Sequence, residues 1–343
     1  MRATALVIAA ALAGCATSQP PRITAVAVPA TGETEPVGTA NDDAADDPAI
    51  WRNPRRPDAS LIVGTDKKAG LHVYGLDGRS RHFLPEGRLN NVDLVDLGRR
   101  GVIVVASDRN DAAQAMLRIY RLDTRAARLE PLGTAPGGAG EAYGVCLMRT
   151  GAGLHAFSVL KDGAIHQVRI DLGDGTAGGE IVRSLKLATQ TEGCVADART
   201  GTLYVGEENH GIWAFDARPA GPVDGRLLAP VDGKYLVADV EGLALAPSGR
   251  NGGLLIASSQ GDNAYALYRL PGMIPAGRFR ITGGALGSAE ETDGIDLALG
   301  SFGKDYPQGL FVAQDGENAP AAQNFKLVSW RDVLTTIRRA GDE

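Results

Sequence analysis

The stretch Asp239-Val240-Glu241-Gly242-Leu243 decides the reading of this chain, because it sets two carboxylates one residue apart on the same side of an extended strand. Related acidic or amide-bearing strand starts recur at Asp46-Asp47-Pro48, Asn90-Asn91-Val92-Asp93, Glu141-Ala142-Tyr143-Gly144, Gln190-Thr191-Glu192-Gly193 and Thr292-Asp293-Gly294-Ile295-Asp296. Successive anchors lie roughly 44 to 52 residues apart, the period of a repeat architecture in which each unit is one supersecondary module. If the units close into a ring, these carboxylates point at one mouth.

Outward from each anchor the plan repeats. A β-branched second strand follows, such as Leu61-Ile62-Val63-Gly64, Val102-Ile103-Val104-Val105 or Leu310-Phe311-Val312-Ala313, then a polar turn, then a third strand such as Leu71-His72-Val73-Tyr74 or Ile212-Trp213-Ala214-Phe215. Short β-branched and aromatic runs between Asp-Gly, Gly-Gly and Pro-containing turns predict an all-β chain. Six units of four strands predict a six-bladed β-propeller, since radial packing buries both faces of each small sheet without long exposed edges. A short helix is expected near Asp332 to Arg339. Residues 41–343 form the propeller, and 16–40 read as a tether in which Ile23 to Val28 supplies a strand that closes the ring on the last repeat.

With 343 residues, 45 glycines, 18 prolines and a net charge of -6, the chain carries no electrostatic footprint for nucleic acid. No mature stretch is apolar for the length of a membrane span. Residues 1–15 change the address. Arg2, the apolar run Ala3 to Ala11 and Leu12-Ala13-Gly14-Cys15 resemble a bacterial lipoprotein signal with its lipobox. That resemblance implies cleavage before Cys15, acylation there, and attachment to a membrane by lipid. An outer-membrane lipoprotein is expected, or a secreted protein if Cys15 is not acylated. Cys146 and Cys194 remain. An oxidising compartment permits a disulfide between them, and two small buried residues explain them equally well.

Carboxylates converging on a mouth repel by roughly 4 kcal/mol per pair at 4 Å with an effective dielectric near 20, so a counter-charge is required. The oxygen ligands of Asp47, Glu192, Glu208, Asp239, Glu241 and Asp293 suit calcium, whose loose shell accepts ligands from scattered turns. No histidine pair has metal spacing, which excludes a zinc site of the usual kind. Taken singly, each of these acids is an ordinary turn residue. Together with Lys67, Lys68, Arg109 and Lys161 in the polar turns, they form a site for a substrate carrying several phosphates. Arg81-His82-Phe83 lacks the glycine of a histidine acid phosphatase motif, and no Walker A loop or Gly-x-Ser-x-Gly elbow occurs.

These segments, with Lys67-Lys68-Ala69-Gly70-Leu71, Ser258-Ser259-Gln260-Gly261 and Phe311-Val312-Ala313-Gln314-Asp315-Gly316-Glu317-Asn318, resemble the beta-propeller phytases from about Asp42 to Trp330. The resemblance implies hydrolysis of phytate, myo-inositol hexakisphosphate, with several Ca2+ ions. It implies that Asp47, the carbonyls of Pro48 and Val92, and the carboxylates of Glu192, Glu208, Asp239, Glu241 and Asp293 hold calcium. Tyr143 matches a site tyrosine, and Lys67, Lys68, Arg109 and Lys161 match phosphate-binding positions, with one subsite for cleavage and one for affinity. Calcium would then neutralise phosphate oxygens and lower the pKa of a bridging water for in-line attack. Gly287 and Ala319-Pro320-Ala321-Ala322 depart from the family where it holds a structural calcium, which puts that ion in doubt. A monomer is expected. A calcium-dependent lactonase would leave the basic residues without a role, and a non-catalytic envelope binding propeller would bind without turnover.

Overall fold

A computed structural model describes residues 23–40 and 42–342, so the signal and the lipidation at Cys15 lie outside the described residues. Among the described residues the chain is all-β apart from three single-turn 3-10 segments and the C-terminal helix, and its sheets stand in a propeller-like arrangement. The first repeat shows the design. Ala45–Trp51, Leu61–Asp66, Gly70–Gly75 and Ser80–Leu84 pair antiparallel in chain order. The first three strands are buried along their whole length, while Ser80–Leu84 is mostly exposed or half-buried. Continuous apolar runs such as Leu61-Ile62-Val63 arise because both sheet faces are covered, and the outer strand meets water.

The repeat from Thr191–Asp197 through Thr202–Glu207 and Gly211–Asp216 to Arg226–Pro230 is another four-stranded sheet. Between these two, eight strands form one sheet made of two antiparallel meanders, residues 89–139 and 142–186, joined edge to edge where Gly133 pairs with Ala177. Val240–Ser248, Gly252–Ser259, Ala264–Leu270 and Ile274–Ile281 form the fifth repeat, and Ile295–Leu299, Gly309–Asp315 and Asn324–Ser329 the sixth.

Ring closure differs from the expectation. Val26–Val28 does not join the last repeat but runs parallel beside Ile274–Ile281. Gly32–Glu33 is the segment that supplies the last repeat with its fourth strand, against Asn324–Ser329. The reason is visible in the side chains. The sixth repeat continues into the helix Trp330–Asp342 rather than an outer strand, which leaves its edge open. Glu33 meets Lys326 and Asn324 on that edge, while Val28 enters the apolar cluster of Phe279, Ile281, Trp330 and Val333. The helix is longer at both ends than Asp332 to Arg339, because Trp330 packs inward and starts it. No helix among the described residues is long and apolar enough to cross a membrane.

The first strands of the repeats pack side by side around a common axis, each against the next, and Ile295–Leu299 returns to Ala45–Trp51. Five of them carry an irregularity at the start, between Ala45 and Pro48, Leu89 and Val92, Ala142 and Val145, Thr191 and Cys194, and Val240 and Leu243. A bulge of this kind breaks strict alternation and re-aims side chains. Glycines beside the bulges allow neighbouring backbones to touch: a Cβ on Gly193 would meet Glu241 O at 2.1 Å, and one on Gly294 would meet Asp46 O at 2.5 Å. Hydrogen bonds complete the inner ring, with Gly242 N donating to Asp293 O at 2.7 Å and Gly294 N to Asp46 O at 3.0 Å.

Candidate active site

Antiparallel pairing places the start of each first strand beside the end of its second strand, as Leu89 beside Asp108 and Thr191 beside Glu207. The anchors and the polar turns between second and third strands therefore share one end of the ring. At that end Glu192 and Glu241, carried in bulges, and Glu208, carried in a turn, bring carboxylate oxygens within 4.8 Å of one another. All three are buried. Glu208 Oε1 and Glu241 Oε2 have no hydrogen-bond partner among the described residues, whereas Glu192 Oε1 accepts from Asn90 Nδ2 at 2.8 Å. Unpaired carboxylate oxygens held away from water are costly unless a cation shares the site. An all-oxygen donor set of this kind fits a hard divalent ion such as calcium.

Burial, with the mutual repulsion of neighbouring acids, holds the carboxyls of Glu192 and Glu241 well above the ordinary range. Burial and Asp239 raise Glu208 against the opposing pull of Gln190 and Lys161. Asp239 itself is only half-buried at the edge of this group.

Lys67 occupies the other side of the acidic wall. Its Nζ lies 2.8 Å from Asp43, 3.1 Å from Asp46 and 2.8 Å from Asp293, with 6% of the residue exposed. Burial opposes its charge, but Asp46, Asp293 and Asp43 together overcome that and keep the ammonium protonated. Asp293, pushed up to about 7 by burial and Asp46, also accepts from Gln260 Nε2 at 2.7 Å. Lys68 sits at the rim, 3.3 Å from Asp42.

Tyr143 connects the acids to the remaining cations. Lys161 Nζ stands 5.1 Å and Arg109 Cζ 5.8 Å from its ring centre, cation–π contacts that place two positive groups at one phenol. Arg109 is buried, its Nε has no partner among the described residues, and Nη1 reaches Glu141 only at 3.7 Å. The carboxylate of Glu192, then burial, then Glu241 hold the Tyr143 hydroxyl above its usual pKa, so it is a proton donor at neutral pH.

The expected ligand set divides in two. Glu192, Glu208, Asp239, Glu241 and Asp293 gather at the mouth, but Asp47, Pro48 and Val92 line a cavity of about 40 Å3 on the axis beneath it, with Asp93 and Asp296. There Asp47 Oδ2 accepts from Val92 N at 3.0 Å. Burial raises Asp93 to about 7 and Asp296 to about 6. Sequence reasoning assigned no role to Asp46, Asn90 or Gln260, all of which touch site residues. Asp46 follows alternation away from Asp47, and only the bulge at residues 45–48 lets both neighbours point inward.

Cys146 and Cys194 are bonded, joining the first strands of two adjacent repeats just below Tyr143 and Glu192. Both alternatives raised by the sequence hold in part, since Cys146 is also buried in an apolar cluster. Beside the segment Ala319-Pro320-Ala321-Ala322, Lys326 places its ammonium 3.2 Å from Asp315, 3.4 Å from Asn318 Oδ1 and against Glu33, with 2% of the residue exposed.

The family model described as Phytase matches residues 1–342. This chain belongs to the phytase family. A 3-phytase of Bacillus subtilis (strain 168) is 40% identical over 335 residues, covering 92% of this chain and 86% of that protein. A chain in the crystal structure of the mitotic checkpoint complex superposes with a TM-score of 0.53 at 13% identity, over 97% of this phytase-family chain and 86% of its own. At that identity the likeness concerns the fold alone.

Proposed function

We propose that this phytase-family enzyme hydrolyses phytate to lower inositol phosphates in a calcium-dependent reaction. The observation that carries the reading is the convergence of three buried carboxylates, Glu192, Glu208 and Glu241, two of them with oxygens unpartnered among the described residues, within the electrostatic reach of Lys67 and Lys161. Glu192, Glu208, Asp239, Glu241 and Asp293 hold ions at the mouth, and Asp47 with the carbonyls of Pro48 and Val92 holds one on the axis. Calcium in these positions supplies the positive charge that an acidic mouth lacks toward a polyanion, and acidifies water.

The chain's own groups do the positioning. Lys67 and Lys68 stand on one side, set among Asp42, Asp43, Asp46 and Asp293, and Arg109 and Lys161 flank Tyr143 on another, two positions for positive groups that support a cleavage subsite and an affinity subsite for neighbouring phosphates. The protonated Tyr143 hydroxyl donates to a phosphate oxygen. Glu192, Asp239 and Glu241 accept hydrogen bonds from a water and orient it for in-line attack on phosphorus. As the water oxygen bonds to phosphorus the P–O bond to the inositol oxygen breaks, that oxygen ends as a hydroxyl and the proton lost by the water is balanced through solvent, giving inorganic phosphate and the lower inositol phosphate.

The reading includes a six-bladed propeller, in which the eight-stranded sheet counts as two blades. The side-by-side ring of six first strands supports that count. It also includes export as a monomeric outer-membrane lipoprotein acylated at Cys15, for which the Cys146–Cys194 bond is supporting, since such bonds persist outside the cytoplasm.

The deciding experiment is phosphate release from phytate and from a simple monoester, with graded calcium and with chelator. Calcium-dependent release, favouring phytate, is expected. A rate indifferent to chelator defeats the metal assignment, preference for the monoester defeats the two subsites, and binding without turnover makes the chain a binding propeller.

A further inference from the structure

The face opposite the mouth carries charge that the phosphate chemistry does not use. Turns there join first to second and third to fourth strands. In the second and third repeats they enclose two adjoining clefts, of about 560 and 810 Å3, that share Arg99 and Arg100. Arg121 lines the first and Arg149 the second. Arg99, Arg100 and Arg149 are exposed and Arg121 is half-buried.

Elsewhere on the surface an arginine is neutralised by an acid two residues away, as in Arg128 with Glu130, Arg169 with Asp171 and Arg218 with Asp216. None of the four cleft arginines makes an ion pair among the described residues, each pair being an N–O approach of 4.0 Å or less. Two acids line the clefts, Asp174 in the first and Asp171 in the second, and Asp171 is held by Arg169 at 3.1 Å. The clefts are therefore cationic on a chain whose net charge is -6. A neighbouring depression on the same face is lined by Arg56, Arg81 and Arg125 together with Asp58 and Asp77, and Arg81 is paired with Asp77 at 2.7 Å, which leaves it a smaller excess of positive charge. A spread of this kind complements an extended anionic plane better than one small anion.

The clefts lie at the end of the ring opposite the mouth, since the turns that line them join first to second and third to fourth strands. We propose that the arginine-lined clefts bind the phosphate headgroups of an anionic membrane surface, so that the mouth opens toward solvent. The proposal does not rest on the identity of the substrate. Juxtamembrane basic residues act on such surfaces through the same phosphate chemistry and are screened within a Debye length.

The test uses the full chain with Cys15→Ser, which removes the lipid contribution, in co-sedimentation with vesicles of phosphatidylglycerol and phosphatidylcholine or of phosphatidylcholine alone. Binding to the anionic vesicles only, weakening as salt rises, is expected. The double substitution Arg99→Ser and Arg149→Ser lowers the partition coefficient roughly 30-fold, while Arg99→Lys with Arg149→Lys keeps it within about threefold. Phosphate release from phytate in solution is unchanged in both. Equal sedimentation with both vesicle types overturns the proposal, as does a serine double variant that binds like its parent. Binding of soluble myo-inositol hexakisphosphate that depends on Arg99 and Arg149, without vesicle binding, overturns the membrane assignment in favour of a soluble ligand.

Discussion

Lys67 Nζ lies 2.8 Å from Asp293 Oδ2, although 226 residues separate them in the chain. The contact spans the seam between the first and last repeats, so the same ion pair helps close the ring and sets a cation into the mouth. Lys67→Met should leave Asp46 and Asp293 facing each other without an intervening charge. Removing one preorganised charge donor of this kind costs on the order of 10² to 10³ in rate. We expect kcat/KM for phytate to fall by about that factor, with a smaller loss on a simple monoester. An unchanged ratio between the two substrates would place Lys67 in ring closure alone.

Glu241→Gln keeps the shape of the side chain and removes one charge from the three-glutamate cluster. If that cluster holds calcium, the concentration giving half-maximal phosphate release should rise more than tenfold, and the saturated rate should fall as well. The companion substitution Glu207→Gln is the control. Glu207 adjoins Glu208 in sequence, yet its oxygens accept from Ala188 N, Thr189 N and Thr189 Oγ1 at 3.1, 2.9 and 2.8 Å and from Trp213 Nε1 at 2.9 Å. It should lower thermal stability and leave calcium dependence where it was.

That pair of neighbours shows what a sequence can and cannot disclose. The repeat spacing, the strand order within repeats and the common end of the anchors were legible, because apolar runs and turn residues are local signals and antiparallel pairing follows from short turns. Local pattern does not say which of two adjacent acids faces the mouth: Glu208 is singled out with the help of the family resemblance, and the physical reason, that Thr189 and Trp213 from other segments occupy Glu207, is visible only in the fold. Asp46 and Asp47 read as alternating until the bulge turns both inward. The closing strand was misplaced for the same reason, since Gly32–Glu33 is recruited by Lys326 and Asn324, partners about 290 residues away. Asp262, in a turn that looks acidic, is consumed by the buried Arg278 at 2.7 Å.

The Cys146–Cys194 bond closes a loop of 48 residues between neighbouring first strands. On the chain-entropy account a loop of that length contributes about 4 kcal/mol, with 2 to 4 kcal/mol typical of measured cases. Cys146→Ser with Cys194→Ser should therefore lower the unfolding free energy by roughly 2 to 4 kcal/mol, read from the denaturant midpoint. Calcium dependence of the folded variant should persist, since neither sulfur belongs to the ligand set. A midpoint that does not move would mean that the apolar cluster around Phe157 and Val205 holds the seam unaided.

Acid sensitivity should trace in part to His72, a group outside the site. Its ring is buried, stacked on Tyr74 with centroids 5.3 Å apart and tilted against Phe83 at 4.6 Å, and its Nε2 has no partner. Burial lowers its pKa, while Asp66 pulls weakly the other way. In the unfolded chain the same imidazole titrates near 6.5. The folded state thus binds fewer protons than the unfolded state below that value, and stability present above pH 6.5 is lost as pH falls toward the depressed folded pKa. His72→Phe keeps an aromatic ring in the stack and removes the titration. The thermal midpoints of parent and variant should lie close at pH 8, and the variant should gain steadily on its parent between about pH 6.5 and 5. A difference that stays constant across that interval would show that the ring accepts its proton without disturbing the fold.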